Sequence, residues 1–375
     1  PIMAYSTLEV HIETLRDCLT VEDIESIAED DASSVMLEIH KKVSSQDSTA
    51  VKRRAEEMQW LKNMVKTIPV TVVSSLVAHR GFHCPRDNSG KRPLENSLSA
   101  FESAWASGLH LCECDVALTK DEPIVLAHDE DFARLALDPN SKSSNKKVSD
   151  LTLREIISLT FKSGSRPPLL IDVLRSAEAI GERSQLVIEI KPGNQEVAEA
   201  LIRLFRTHPE LIERVALVMS FDVYTMHKMK AQLDELAAEF KRVGEVELLR
   251  ADSPKRVQDL ANSKVPPGDV RMPQVMLLTV AKEPQANFEL WADVADFTPI
   301  DSWLKHEAQE LDGVYLQYQP QMLSLNGMAN IQSLCSRTKV GIWYVFVFVL
   351  TCAEDFCSDY FCFSGASLET DWTIY

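Results

Sequence analysis

Two regimes of apolar spacing divide the chain. Over residues 1–70, apolar positions recur at helical intervals, as in Ile24 and Ile27 and again in Met58, Leu61, Met64 and Val65, among many Glu, Asp and Lys residues. That is the pattern of amphipathic helices, and Pro69 ends it, so residues 1–70 are expected to form a helical N-terminal extension. From residue 71 short β-branched runs alternate with amphipathic stretches. Eight runs read as strands: 75–81, 111–118, 124–128, 186–191, 215–221, 274–279, 313–318 and 340–347. Most are separated by enough chain for a helix, and eight such units over about 300 residues favour a closed barrel over an open doubly wound sheet. The expected fold class is α/β, a TIM (β/α)8 barrel over residues 71–375. Residues 129–185 are long for one crossover and are expected to form an insertion after the third strand, over the barrel mouth.

Composition keeps this picture and removes several function classes. Of 375 residues, 45% are hydrophobic and 25% charged, an ordinary globular balance with ample apolar side chain for a core. The 39 Lys and Arg against 56 Asp and Glu give a formal charge of −17, which repels polyanions, so neither nucleic acid nor an anionic membrane is an expected partner. Eight irregularly spaced cysteines are not a disulfide framework, and a reducing compartment, the cytoplasm, is the expected location. No leader-type segment is visible, but the chain begins with Pro1, so a processed or incomplete N-terminus stays open. The longest apolar run, 340–350, has eleven residues. A helix crossing a bilayer needs ~20, so a buried strand is expected there and no transmembrane segment. Nothing in the pattern speaks to oligomeric state, and no glycine-rich nucleotide loop competes.

In a barrel of parallel strands, ionisable groups at the C-terminal strand ends are the candidates for chemistry. The first four strands each carry some: His79 and Arg80, Glu113 and Asp115, His128, then Glu189 and Lys191. Side chains alternate along a strand, so Glu113 and Asp115 share one face and Cys112, Cys114 and Val116 the other. Carboxylates inward and apolar residues outward is the consistent register. Three inward carboxylates repel one another by several kcal/mol at separations of roughly 4 Å, and a divalent cation resolves the conflict. With oxygen ligands alone, Mg²⁺ or Ca²⁺ suits the set better than zinc. With the cation, Arg80 and Lys191 the centre becomes net positive, which suits a small phosphodiester, and two histidines supply an acid and a base.

The runs His79-Arg80-Gly81, Pro93-Leu94-Glu95-Asn96-Ser97, Glu113-Cys114-Asp115-Val116, Ala127-His128-Asp129 and Val187-Ile188-Glu189-Ile190-Lys191 resemble, in order and spacing, the glycerophosphodiester phosphodiesterase family. Further echoes are Arg134, Pro168-Leu169, Ser220-Phe221 and Trp343. The resemblance implies a metal on Glu113, Asp115 and Glu189, with Glu95 completing its shell or holding a glycerol hydroxyl. It further implies His79 and His128 as the acid/base pair, with Arg80, Lys191 and Trp343 toward the phosphate and substrate. Ser97 stands where the family has Thr, which keeps a hydroxyl. The implied reaction is metal-dependent hydrolysis of glycerophosphodiesters to sn-glycerol 3-phosphate and an alcohol, within lipid metabolism. The alternatives are a lysophospholipase D acting on acylated lipids and a silent barrel that only binds.

Blander readings cover much of the rest. Arg80 and Lys191 pairing with the carboxylates in a metal-free ionic cluster is disfavoured, because desolvating several charges returns little stability. Cys112 and Cys114 read as packing residues, and Cys352, Cys357 and Cys362 match no zinc spacing. Residues 345–375 are unusually aromatic and cysteine-rich and depart from the family's ending, as altered splicing or an imperfect gene model would produce.

Overall fold

The computed structural model describes residues 59, 61–83, 93–249, 270–279, 310–317, 329, 332–333, 335–344 and 363–365. Their strands are β1 (Leu76–His79), β2 (Leu111–Leu118), β3 (Ile124–Leu126), β4 (Gln185–Ile190), β5 (Val215–Ser220), β6 (Gln274–Thr279), β7 (Gly313–Gln317), β8 (Lys339–Tyr344) and β9 (Phe363–Gly365). Strands β1, β2, β4, β5, β6, β7 and β8 run parallel in that order. β9 lies antiparallel between β8 and β1 and closes the ring. The fold is therefore an α/β barrel, as the strand pattern predicts.

Two details differ from that expectation. β3 is not a barrel stave; it folds back antiparallel on β2, with Val116 opposite Leu126. Only five residues separate Leu118 from Ile124, and a parallel crossover needs roughly a dozen. The place in the ring assigned to the third strand is filled by β4, and closure falls to β9, within the stretch whose sequence is least regular. The hairpin is also where the insertion docks. Leu126 N–H donates to Pro168 O at 3.0 Å, Val125 bridges Leu169, and Leu153 N–H donates to the Asp121 carboxylate.

Period-two alternation sorts the strands' side chains into two cores. Val77, Leu111, Val187, Leu217, Met219, Met276, Leu278 and Tyr315 form a separate cluster inside the ring. Cys112, Cys114, Val116, Leu186, Ile188, Val218, Val314 and Val340 belong to the larger core under the helices. Those helices are α1 (Val70–Val73), α2 (Leu98–Ala106), α3 (Leu153–Ser158), α4 (Leu170–Ile180), α5 (Glu196–Thr207) and α6 (Val223–Leu249). In α5 the buried Val197, Ala198, Leu201 and Phe205 recur at helical spacing, while Glu196 and Glu199 open the helix and Arg206 ends it, as the macrodipole favours. Of residues 1–70, Leu61 and Val65 are buried in the outer core, and residues 1–58 and 60, where most of the expected N-terminal extension falls, lie outside the described residues. No helix among the described residues is long and apolar enough to cross a membrane.

The interior plug depends on one missing side chain. Tyr315 is fully buried beside Gly341, and a Cβ at Gly341 would lie 2.1 Å from its ring. Gly341→Val is expected to lower unfolding stability by at least the ~1–3 kcal/mol of a typical overpacked core. Denaturant midpoints check this, and an unchanged midpoint would show that the ring has room to move.

Candidate active site

β1 ends in a sharp turn built from Arg80 at φ 55° and Gly81 at φ 77°. A Cβ on Gly81 would meet the Ala100 backbone at 2.8 Å, so close approach and left-handed backbone both require glycine here. The turn aims the Arg80 N–H at Glu113 Oε2, 3.0 Å away. Arg80 O in turn accepts from the backbone of Asn96, a residue with φ 50° whose side chain clasps Asp115 twice: Nδ2 donates to Oδ2 at 2.8 Å, and Oδ1 accepts from the Asp115 N–H at 3.3 Å. The next residue, Ser97, caps α2, which anchors this loop to the barrel wall.

Inside the ring, Glu113 sits beside His79 in the strand register and Asp115 beside Glu189. One oxygen from each of Glu113, Asp115 and Glu189 lies within 4.8 Å of the others, and all three residues are buried. The inward register of the carboxylates is as expected, with Cys112 and Cys114 buried on the opposite face. Burial lifts both cysteine thiols well above their ordinary pKa, in keeping with packing residues.

The two cations sit on these carboxylates. Lys191 Nζ lies 2.7 Å from both Asp115 Oδ1 and Glu189 Oε1, while Arg80 reaches Asp115 Oδ2 through Nε at 3.1 Å and Glu95 Oε1 at 3.0 Å. Arg134 holds Glu95 from the other side. Glu95 thus stands outside the close set of three and bridges two guanidinium groups. Taken together, Glu95, Glu113, Asp115, Asp129 and Glu189 against Arg80, Arg134 and Lys191 leave a formal charge of −2, which a divalent cation cancels.

The protonation pattern shows how unevenly the cations serve the carboxylates. Burial alone would raise Asp115, but Lys191 and Arg80 outweigh it and hold its pKa at about 2. Burial, then the neighbouring Asp115 charge, pushes Glu189 up to about 7. Burial, with Asp115 and Glu189, drives Glu113 well above the carboxylate range, and its buried Oε1 has no hydrogen-bond partner. An orphaned carboxylate oxygen among oxygen donors is what a hard divalent cation would satisfy, so the residues present fit Mg²⁺ or Ca²⁺.

The histidines flank the carboxylates. His79 Nε2 lies 3.8 Å from Glu113 Oε2, and burial together with the Arg80 charge lowers its pKa to about 3, so the ring is neutral. His128 follows β3, where the Ala127 N–H donates to Asp115 O at 3.0 Å and ties the hairpin's end to the carboxylate strand. His128 Nδ1 lies 2.7 Å from Asp129 Oδ1. Trp343 occupies β8 opposite Gln317, and its side chain lies outside the described residues. The sequence assigned no role to Asn96, Asp129 or Arg134: the contacts of Asn96 with Asp115 and of Arg134 with Glu95 join separate segments, and those of Asp129 with His128 and Arg134 form within one turning loop, none of which spacing within a strand reveals.

Residues 79–266 match the model of the glycerophosphoryl diester phosphodiesterase family, half of the chain. A glycerophosphodiester phosphodiesterase of Caldanaerobacter subterraneus subsp. tengcongensis is 33% identical over 172 residues, covering 43% of this chain and 63% of that one. A lysophospholipase D of Rattus norvegicus is 31% identical over 153 residues, 36% of this chain and 43% of its own. The chain therefore spans under two thirds of the length of these curated relatives. Among solved structures, an Oleispira antarctica phosphodiesterase in complex with the product sn-glycerol-3-phosphate is 17% identical, covering 72% of this chain and 84% of that one, with a TM-score of 0.45.

Proposed function

This chain belongs to the glycerophosphoryl diester phosphodiesterase family, and on that premise we propose that it hydrolyses glycerophosphodiesters to sn-glycerol 3-phosphate and an alcohol. The observation that carries the reading is the convergence of Glu113, Asp115 and Glu189, buried within 4.8 Å of one another beside His79 at the barrel rim. In this reading those three side chains hold a divalent cation, Mg²⁺ or Ca²⁺, which when bound polarises phosphoryl oxygens and neutralises charge that develops there.

The remaining steps belong to the chain's own groups. The neutral His79 is placed to take the proton of the attacking hydroxyl or water, and His128, entering with both ring nitrogens protonated, returns one through Nε2 to the leaving oxygen, so that the two rings exchange protonation states over the step. Arg80 and Lys191 hold Asp115 ionised and keep positive charge at the phosphate end of the site. Glu95 fixes Arg80 from behind. Residues 71–375 are read as the barrel carrying this activity, and residues 1–70 as an appendage to it.

The relatives named lysophospholipase D favour a second reading, in which the substrate keeps an acyl chain. Release of glycerol 3-phosphate from glycerophosphocholine, set against release of choline from lysophosphatidylcholine, separates the two. His79→Ala and His128→Ala are each expected to lower kcat by ~10² or more on the preferred substrate while the fold is kept. Turnover unchanged in either variant would remove that histidine from the chemistry.

A further inference from the structure

His128, Asp129, Arg134 and Glu95 form a chain of contacts running back from the barrel rim. The carboxylate Asp129 only accepts hydrogen bonds, so at 2.7 Å from its Oδ1 the Nδ1 of His128 carries the proton. That leaves Nε2 as the nitrogen that exchanges a proton. The other Asp129 oxygen is taken as well: Arg134 Nε donates to Oδ2 at 2.7 Å, and the same guanidinium donates through NH2 to Glu95. A guanidinium has donors alone, so whatever faces it must accept. Glu95 is buried and also bonded to Arg80, which braces Arg134 at its far end. Arg134 thereby fixes which way the Asp129 carboxylate turns, and Asp129 fixes the ring.

We propose that Asp129 and Arg134 are positioning residues that set the Nδ1–H tautomer of His128 and so reserve its Nε2 for the phosphodiester. This deepens the reading above and rests on it, since it concerns the same histidine. The arrangement makes one substitution unusually informative. In Asp129→Asn the side chain has one acceptor and one donor. Arg134 claims the carbonyl oxygen, which leaves the NH₂ against His128 Nδ1 and forces the ring proton onto Nε2. Asp129→Ala merely removes the contact and leaves the ring free to take either tautomer.

Imidazole ¹⁵N spectra of the ¹⁵N-histidine-labelled full chain, loaded with Mg²⁺ and held where the ring is neutral, read the tautomer directly. Wild-type His128 is expected as Nδ1–H, the Asp129→Asn variant as Nε2–H, and the Asp129→Asn variant with Arg134→Ala returning toward Nδ1–H as its amide turns. On glycerophosphocholine, kcat is expected to fall about 10³-fold in Asp129→Asn but only about tenfold in Asp129→Ala, with KM within about threefold in both. A wild-type His128 found as Nε2–H, an unchanged tautomer in Asp129→Asn, or equal kcat losses in the two variants overturns the proposal. Absence of wild-type turnover on both glycerophosphocholine and lysophosphatidylcholine would overturn the hydrolase reading instead, and the spectra would still decide the tautomer.

Discussion

Asp115→Asn is expected to lose about 3–5 kcal/mol of unfolding stability, with a fall in turnover of ~10³ or more. The substitution keeps the shape of the side chain and withdraws its charge. Asp115 is fully buried between Arg80 Nε at 3.1 Å and Lys191 Nζ at 2.7 Å. Those contacts hold it ionised, with a pKa near 2, so the charge is present at every working pH. Without it two cations face each other across the site, Arg80 left with Glu95 and Lys191 with Glu189, and burial still disfavours the ionised forms of Glu113 and Glu189. Breaking a buried pair from one side costs far more than the pair is worth intact. Denaturant unfolding in the presence of a chelator isolates this contribution from any metal effect. Stability within about 1 kcal/mol of wild type would show that Asp115 is not the charge that holds Arg80 and Lys191 in place.

Divalent cation is expected to raise the melting temperature of the chelated protein, and to raise it more as pH increases. A carboxyl whose folded pKa is raised binds its proton more tightly folded than unfolded. Glu189, lifted by burial and Asp115 to about 7, therefore stabilises the metal-free fold at low pH, and that contribution is lost as pH rises from the ordinary 4.5 through about 7. Glu113, lifted further in the same direction, extends the loss to higher pH. A bound cation takes the place of those protons and removes the penalty, so its stabilising increment grows over the same interval. At a concentration a hundred times Kd the increment is about 2.7 kcal/mol. Thermal melts with EDTA, then with Mg²⁺ or Ca²⁺ restored, measure it; Glu113→Gln should abolish most of the shift. Melts that ignore both cations across that interval would remove the metal from the site.

How much of this was readable in advance differs from residue to residue. The inward register of Glu113, Asp115 and Glu189 was legible because alternation along a strand is a local property, and the outward Cys112 and Cys114 made the assignment unambiguous. The hairpin at β3 was legible in principle: the five residues between Leu118 and Ile124 are too few for a crossover, and its apolar run alone suggested a stave. Ring closure by Phe363–Gly365 had no such signal, since a three-residue strand in an aromatic stretch has no period to detect.

Local chemistry along the chain was enough to specify the barrel class, the common face of the three carboxylates and the family motifs. Which charge meets which was settled by folding, because ion pairs depend on distances between strands and loops that no spacing encodes. Arg80 and Lys191 carry an obvious affinity for phosphate, yet in the folded chain they sit on Asp115, Glu95 and Glu189. Asn96 acquires its grip on Asp115, and Arg134 its grip on Asp129 and Glu95, through the approach of segments nineteen to thirty-nine residues apart or through a loop that turns back on itself. Burial and the two cations then do what composition could not foresee: burial pushes all three neighbouring carboxyls up, and Lys191 and Arg80 hold Asp115 ionised while Glu113 and Glu189 stay raised, which is the asymmetry a divalent cation resolves.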